Sequence, residues 1–288
     1  MAGQVIPNSA GTLRPRLVSP AHACDAHMHI YDTRFASSGD LSRQPANGTV
    51  ADYRRLQARL GTSRTVVVTP AVYRTDNRAT LDAIQALGTD STRGVAVVHP
   101  EVTDAQLQAL DAGGIRGSRF TLFDPSTAVT TFDMVEPLAR RVHELGWHVQ
   151  LHWRGDQIVE HAGLLGRLPG TIVFDHMARL PQPEGEAHAA FGIVSRLLEQ
   201  GRTWVKLSGP YLDSRGPEYA DRKAIVQALV KRAPERLVWG SDWPHPTEKE
   251  VKPDDAAMFD LFGEWIGDES LHERILVDNP ARLYGFPA

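Results

Sequence analysis

The stretch ACDAHMHI at residues 23–30 is the first of eight short apolar or β-branched runs that recur along the chain. The others are TVVVTP (65–70), GVAVVHP (94–100), GIRGSRFTL (114–122), WHVQLHW (147–153), TIVFDHM (171–177), TWVKLSGP (203–210) and RLVWGSDWP (236–244). Segments with helical periodicity lie between them, such as DYRRLQARLG and FDMVEPLARRVHELG. Several of these end on glycine, the residue that most readily takes the left-handed conformation closing a helix. From Asp25 to Asp242 is 217 residues, or 31 per strand-to-strand step. A barrel of ~250 residues divided into eight βα units has about that spacing. Strands alternating with helices of this length call for a parallel sheet. An open doubly wound sheet is the rival, but no GxGxxG follows the first strand. The sequence therefore predicts an α/β protein, a single (β/α)8 barrel over 23–288 with an N-terminal arm at 1–22. Loops at 31–51, 180–187 and 210–218 are expected on the face where the strands end.

Composition removes several classes of function. Of the 288 residues, 31 are Lys or Arg and 35 Asp or Glu, for a net charge of -4, so there is no basic footprint for nucleic acid. No apolar run approaches the roughly 20 residues of a membrane span. The first 23 residues have no apolar block of the ~7–15 residues a secretory signal needs. Cys24 is the one cysteine and cannot form an internal disulfide, which fits a cytoplasmic location. A soluble enzyme or a ligand-binding protein remains, of unknown oligomeric state.

Side chains alternate along a strand, so every second residue points into a barrel. This turns Asp25, His27 and His29 inward and Cys24, Met28 and Ile30 outward. Strand 5 offers His148, Gln150 and His152, strand 4 Arg119, strand 6 His176 and strand 8 Asp242. A lone strand histidine is usually a satisfied core residue. Histidines, a carboxylate and an arginine gathered at the same strand ends are not explained by packing, because buried polar groups cost free energy unless paired. Lys206 falls mid-strand, either as an interior ion pair or as part of the site. His245, just beyond strand 8, either touches substrate or caps its loop. Arg74, Arg78, Arg154, Arg179 and Arg215 lie near strand ends or their loops and suggest an anionic small molecule. Arg74, Arg119, Arg215 and His245 are the expected substrate contacts.

His27-Met28-His29, His152, His176 and Asp242, set in DAHMHIYD, WHVQLHW, IVFDHMAR and WGSDWPHP, resemble the amidohydrolase superfamily. More narrowly the chain is similar to the branch typified by 2-pyrone-4,6-dicarboxylate lactonase, with matching stretches from about residue 23 to 286. The resemblance implies a (β/α)8 barrel that hydrolyses the cyclic ester of a small carboxylated or sulfonated lactone. Asp242 would deprotonate water, His27, His29 and His176 would polarise the carbonyl, and Arg119 would hold a substrate carboxylate. The alternatives are a sugar-acid lactone isomerase, in which a substrate hydroxyl replaces water, and a metal-dependent decarboxylase. A non-catalytic binding protein on the same barrel is the remaining class. Members with two metals carry a bridging Lys or carboxylate on strand 4, which GSRFTL lacks. The lactonase branch works without metal and lacks a strand-5 histidine. His152 departs from that pattern, so His27, His29, His152 and Asp242 are a candidate site for one Zn²⁺. The second strand-4 arginine of the pyrone lactonases is also missing, so the substrate is expected to differ from the pyrone dicarboxylate.

Overall fold

The computed structural model describes residues 5–37 and 48–287. Residues 38–47 of the first loop and 1–4 of the arm lie outside the described residues. The first half runs β1 (Cys24–Met28), α1 (Val50–Leu60), β2 (Arg64–Val68), α2 (Arg78–Leu87), β3 (Thr92–Ala96), α3 (Asp104–Ala112), β4 (Ile115–Thr121) and α4 (Phe132–His143). The second half runs β5 (His148–His152), α5 (Gly155–Glu160), α6 (Ala162–Arg167), β6 (Ile172–Phe174), α7 (Ala189–Glu199), β7 (Thr203–Leu207), α8 (Lys223–Arg232) and β8 (Leu237–Trp239). Three helices close the chain: α9 (Asp255–Ile266), α10 (Glu269–Glu273) and α11 (Asn279–Tyr284). All eight strands form one parallel sheet in sequence order, wrapped as a (β/α)8 barrel. Among the described residues no helix is long and apolar enough to cross a membrane.

Local sequence explains the helix ends. Thr49 and Asp52 form a reciprocal capping box on α1, which stops at Gly61 with φ 82°. The outward residues of the strands, among them Phe120, Leu151 and Phe174, pack under the helices in one apolar cluster. Val66, Val95, Val173 and Val238 fill the barrel interior together with Tyr284 and Phe286. Phe286 lies against Arg64 and Arg93 at the starts of β2 and β3, so the end of α11 closes the barrel floor.

Strand 1 departs from simple alternation. Its register with β2 shifts between Asp25 and Met28. Cys24 and Ala26 therefore join the interior cluster, while the Asp25 carboxylate faces outward and accepts from Tyr53 of α1 and from Ser241. This corrects the expected outward Cys24 and inward Asp25: a β-bulge reverses the faces before His27. The Cys24 thiol is buried, and burial pushes it well above its ordinary range, so it is no nucleophile.

The barrel closes through the segment after β8. Asp242 N–H donates to the His27 carbonyl at 2.8 Å, and His29 N–H donates to the Trp243 carbonyl at 2.8 Å. Gly240 makes the approach possible, since a Cβ there would lie 2.6 Å from the His27 Cβ. The arm is tied to the same region, with Trp243 Nε1–H donating to the Pro7 carbonyl and Arg16 paired with Asp260 of α9.

His27, His148, His152 and His176 are buried, and burial lowers each below its ordinary 6.5, His148 to about 3 and His176 to about 4. The unfolded chain takes up protons on these rings below about 6.5 and the folded chain does not, so stability is full above that pH and falls as the pH drops. Asp25 works the other way. Burial raises it from 3.8 to about 6, so within that window the folded state holds the extra proton. His148→Gln, at the barrel floor, removes one histidine contribution. Between about pH 6 and 4.5 its unfolding free energy from denaturant titrations should fall less steeply than wild type, by about 1.4 kcal/mol per pH unit. An identical slope would mean that folded His148 takes up its proton near 6.5.

Candidate active site

The closing bonds bring three side chains to one point. Asp242 Oδ1 lies 3.5 Å from His27 Nε2 and 3.4 Å from His29 Nε2. Its other oxygen accepts a 2.6 Å hydrogen bond from the Tyr211 hydroxyl. Asp242 has φ 62° and follows a β8 of only three residues, so a strained turn rather than the strand itself aims the carboxylate. Burial pushes its pKa up, but His176, His29 and His27 outweigh this and hold it well below the ordinary 3.8. It is a carboxylate at neutral pH.

The His29 proton position follows from its partner. His29 Nδ1 lies 2.8 Å from the Val68 carbonyl, which can only accept, so Nδ1 carries the proton. Its other ring nitrogen, Nε2, faces Asp242 Oδ1. His27 Nδ1 lies 3.2 Å from Asp175 Oδ1, and its Nε2 has no hydrogen-bond partner among the described residues. Two imidazole nitrogens and a carboxylate oxygen thus converge.

The separations fit one ion. Two ligands on a tetrahedral Zn²⁺ with bonds of ~2.0–2.1 Å stand about 3.3 Å apart, close to the two Asp242 distances. Ligand atoms of His27, His29 and Asp242 all lie within 4.8 Å of one another. A second triplet, His27, Asp175 and His176, meets the same spacing. Its carboxylate already has cations: Arg119 Nε donates to Asp175 at 2.8 Å, and Lys206 Nζ lies 4.0 Å away. His152 joins neither set. Its Nε2 accepts from Arg179 Nη1 at 2.8 Å, and its ring stacks on Phe123. The expected strand-5 ligand is thus engaged elsewhere, because a guanidinium donor occupies its lone pair.

The site opens into a cavity of about 580 Å³ at the strand ends, lined by His29, Tyr31, Arg119, Phe123, His152, His176, Arg179 and Asp242 with loop residues 246–249. His27 lies beneath it, fully buried. His176 Nδ1 is 2.9 Å from the Ser208 hydroxyl. Burial lowers Lys206 to about 8; its Nζ donates to the Ala26 carbonyl and lies 3.3 Å from His27 Nδ1, so it belongs to the interior network under the site.

The remaining candidates are dispersed. Arg74 lines a side pocket of about 70 Å³ that shares Arg119 and His152 with the main cavity. His245 is fully buried outside the cavity wall, bracing Tyr211 through Nδ1 and Asp255 through Nε2. Arg215 is exposed, its backbone N–H bonded to Asp221, and it does not line the cavity. Arg78, Arg154 and Arg179 are paired with Asp76, Asp156 and Asp213. The arginine excess in the sequence is largely satisfied by the chain's own carboxylates. Sequence reading did not single out Tyr211 or Asp175. Asp175 was accessible to it, because a period of two from Val173 brings it inward. Tyr211 sits in a single 3-10 turn, Pro210–Leu212, too short to show a period.

The strand ends of this parallel barrel thus gather two histidines after Ala26, a histidine after β6 and an aspartate after β8 at the floor and wall of one cavity. The family model described as Amidohydrolase matches residues 24–286, and the chain belongs to this family. It is 33% identical over 287 residues to a 2-pyrone-4,6-dicarboxylate hydrolase of Comamonas testosteroni, covering 96% of this chain and 94% of that protein. It is 33% identical to a 4-sulfomuconolactone hydrolase of Rhizobium radiobacter, covering 92% and 91%. A D-galactarolactone isomerase of Agrobacterium fabrum is 29% identical, with 94% and 93% covered. Among solved structures, an Agrobacterium tumefaciens protein in its apo form superposes with a TM-score of 0.89 at 28% identity, over 97% of this chain and 99% of that one.

Proposed function

We propose that this protein hydrolyses the cyclic ester of a small anionic lactone, with Asp242 as the base. The observation that carries the reading is the ionised Asp242 carboxylate, buried yet lining the cavity, with one oxygen fixed by Tyr211 and the other facing the two histidines. A base so placed takes the proton of a water attacking the ester carbonyl. His176 borders the same cavity, near where negative charge develops on the carbonyl oxygen. Arg119, anchored by Asp175 through Nε, supplies a planar cationic fork for a carboxylate or sulfonate on the substrate. Hydrolytic relatives that act on pyrone dicarboxylate and sulfomuconolactone support an acidic lactone.

His27, His29 and Asp242 are the residues that would hold one divalent ion, which would supply Lewis-acid polarisation of the ester carbonyl. The convergence of ligand atoms from all three residues within 4.8 Å of one another supports this reading. Metal analysis of the purified protein should find about one divalent ion per chain. His29→Ala should lose it and His152→Ala should retain it. A metal-free wild type whose rate is indifferent to chelators would reject the ion.

The isomerase relative favours a second reading, in which a substrate hydroxyl attacks in place of water. Both reactions need Asp242, so Asp242→Asn should fold normally and lose roughly 10²–10⁴-fold in rate. Full activity in that variant would reject Asp242 as base. Turnover in ¹⁸O-labelled water separates the readings: hydrolysis places the label in the new carboxylate, and isomerisation leaves the product unlabelled.

A further inference from the structure

Two arginines border the cavity, but they are held differently. Asp175, behind Arg119, is shared with His27 and Lys206, and takes only the Nε of Arg119. Asp213 turns both oxygens on Arg179, at 2.7 Å from Nε and 2.9 Å from Nη2. Nη1 of Arg179 is directed at His152 Nε2, and the guanidinium lies 4.1 Å over the Phe123 ring. The pair is almost dry, with Arg179 7% and Asp213 17% exposed, so its charges cancel at close range. What Arg179 still offers the cavity is N–H donors without net charge.

We propose that Asp213 masks Arg179 and so sets the substrate class of this site: a lactone with one anionic group, held by Arg119, whose other end is neutral and hydroxyl- or carbonyl-bearing. The inference deepens the lactone hydrolase reading and rests on it. A lactone with a second carboxylate near Arg179 would meet the Asp213 charge behind it. The rest of the cavity wall supplies no surplus, since Lys249 shares it with Glu248 and Asp124. Asp213 acts through Arg179 and is a specificity-determining residue, not a catalytic one.

Calorimetric binding of two unreactive acids, valerate with one carboxylate and glutarate with two, tests this without turnover. Wild type should bind glutarate no more tightly than valerate. In Asp213→Asn, isosteric and uncharged, the ratio should shift about tenfold or more toward glutarate. Asp213→Ser should shift it likewise if the amide disturbs the loop. Adding Arg179→Gln to either variant should abolish the shift. A wild type that already prefers glutarate tenfold, an unchanged ratio in both variants, or no binding of either acid would overturn the proposal. Failure of the lactone reading would show separately, as absent lactone turnover with the binding ratios intact.

Discussion

The two backbone hydrogen bonds between the end of β1 and the segment after β8 hold this molecule's chemistry together. Asp242 N–H to the His27 carbonyl and His29 N–H to the Trp243 carbonyl close the barrel wall. They also fix the residues whose side chains form the site, so barrel closure and site assembly are one event. Gly240 permits the close approach, and Asp25 grips the same seam from outside through the Ser241 N–H and hydroxyl. A mouth built at such a joint fixes where the Asp242 carboxylate stands, and for the proposed base a misplacement of about an ångström would be costly.

Charge is layered beneath this joint. Asp242 lines the cavity, His27 lies under it, and Asp175 with Lys206 and Arg119 lies around His27. Each buried charge has an opposite partner or a fixed dipole, which keeps the carboxylates ionised despite burial. Asp25, with only neutral donors around it, is pushed the other way, to about 6. The same residue type along the same β1–β8 seam thus takes opposite protonation behaviour from its neighbours alone.

How much of this was legible in the sequence follows from where regular periodicity holds. The strand spacing gives the barrel, and alternation correctly turns His148, Gln150 and His152 inward along β5, where the ladder with β4 is unbroken. It fails at Asp25, because a bulge in β1 costs one step of phase. Beyond β6 the period ends altogether: residues 176–179 all have positive φ, a left-handed turn that swings both His176 and Arg179 into the cavity wall. No local propensity marks His-Met-Ala-Arg for that conformation. Partner choice is equally invisible: His152 looks like a metal ligand in one dimension, and only the fold reveals Arg179 on its lone pair. Loop tyrosines and carboxylates such as Tyr211 and Asp213 act through tertiary contacts alone.

If this seam creates an ionised carboxylate fit to be the proposed base, the titration of the Asp242 carboxyl shows it. Carbon-13 NMR of aspartate-labelled, metal-free protein follows the Asp242 carboxyl, assigned by its loss in Asp242→Asn, with Asp25 as an internal contrast expected near 6. Asp242 should stay ionised throughout, with a midpoint below the ordinary 3.8 or none before the protein unfolds in acid. A midpoint at or above that of Asp25 would contradict the account, because a carboxyl protonated near neutrality could not take a proton from water there.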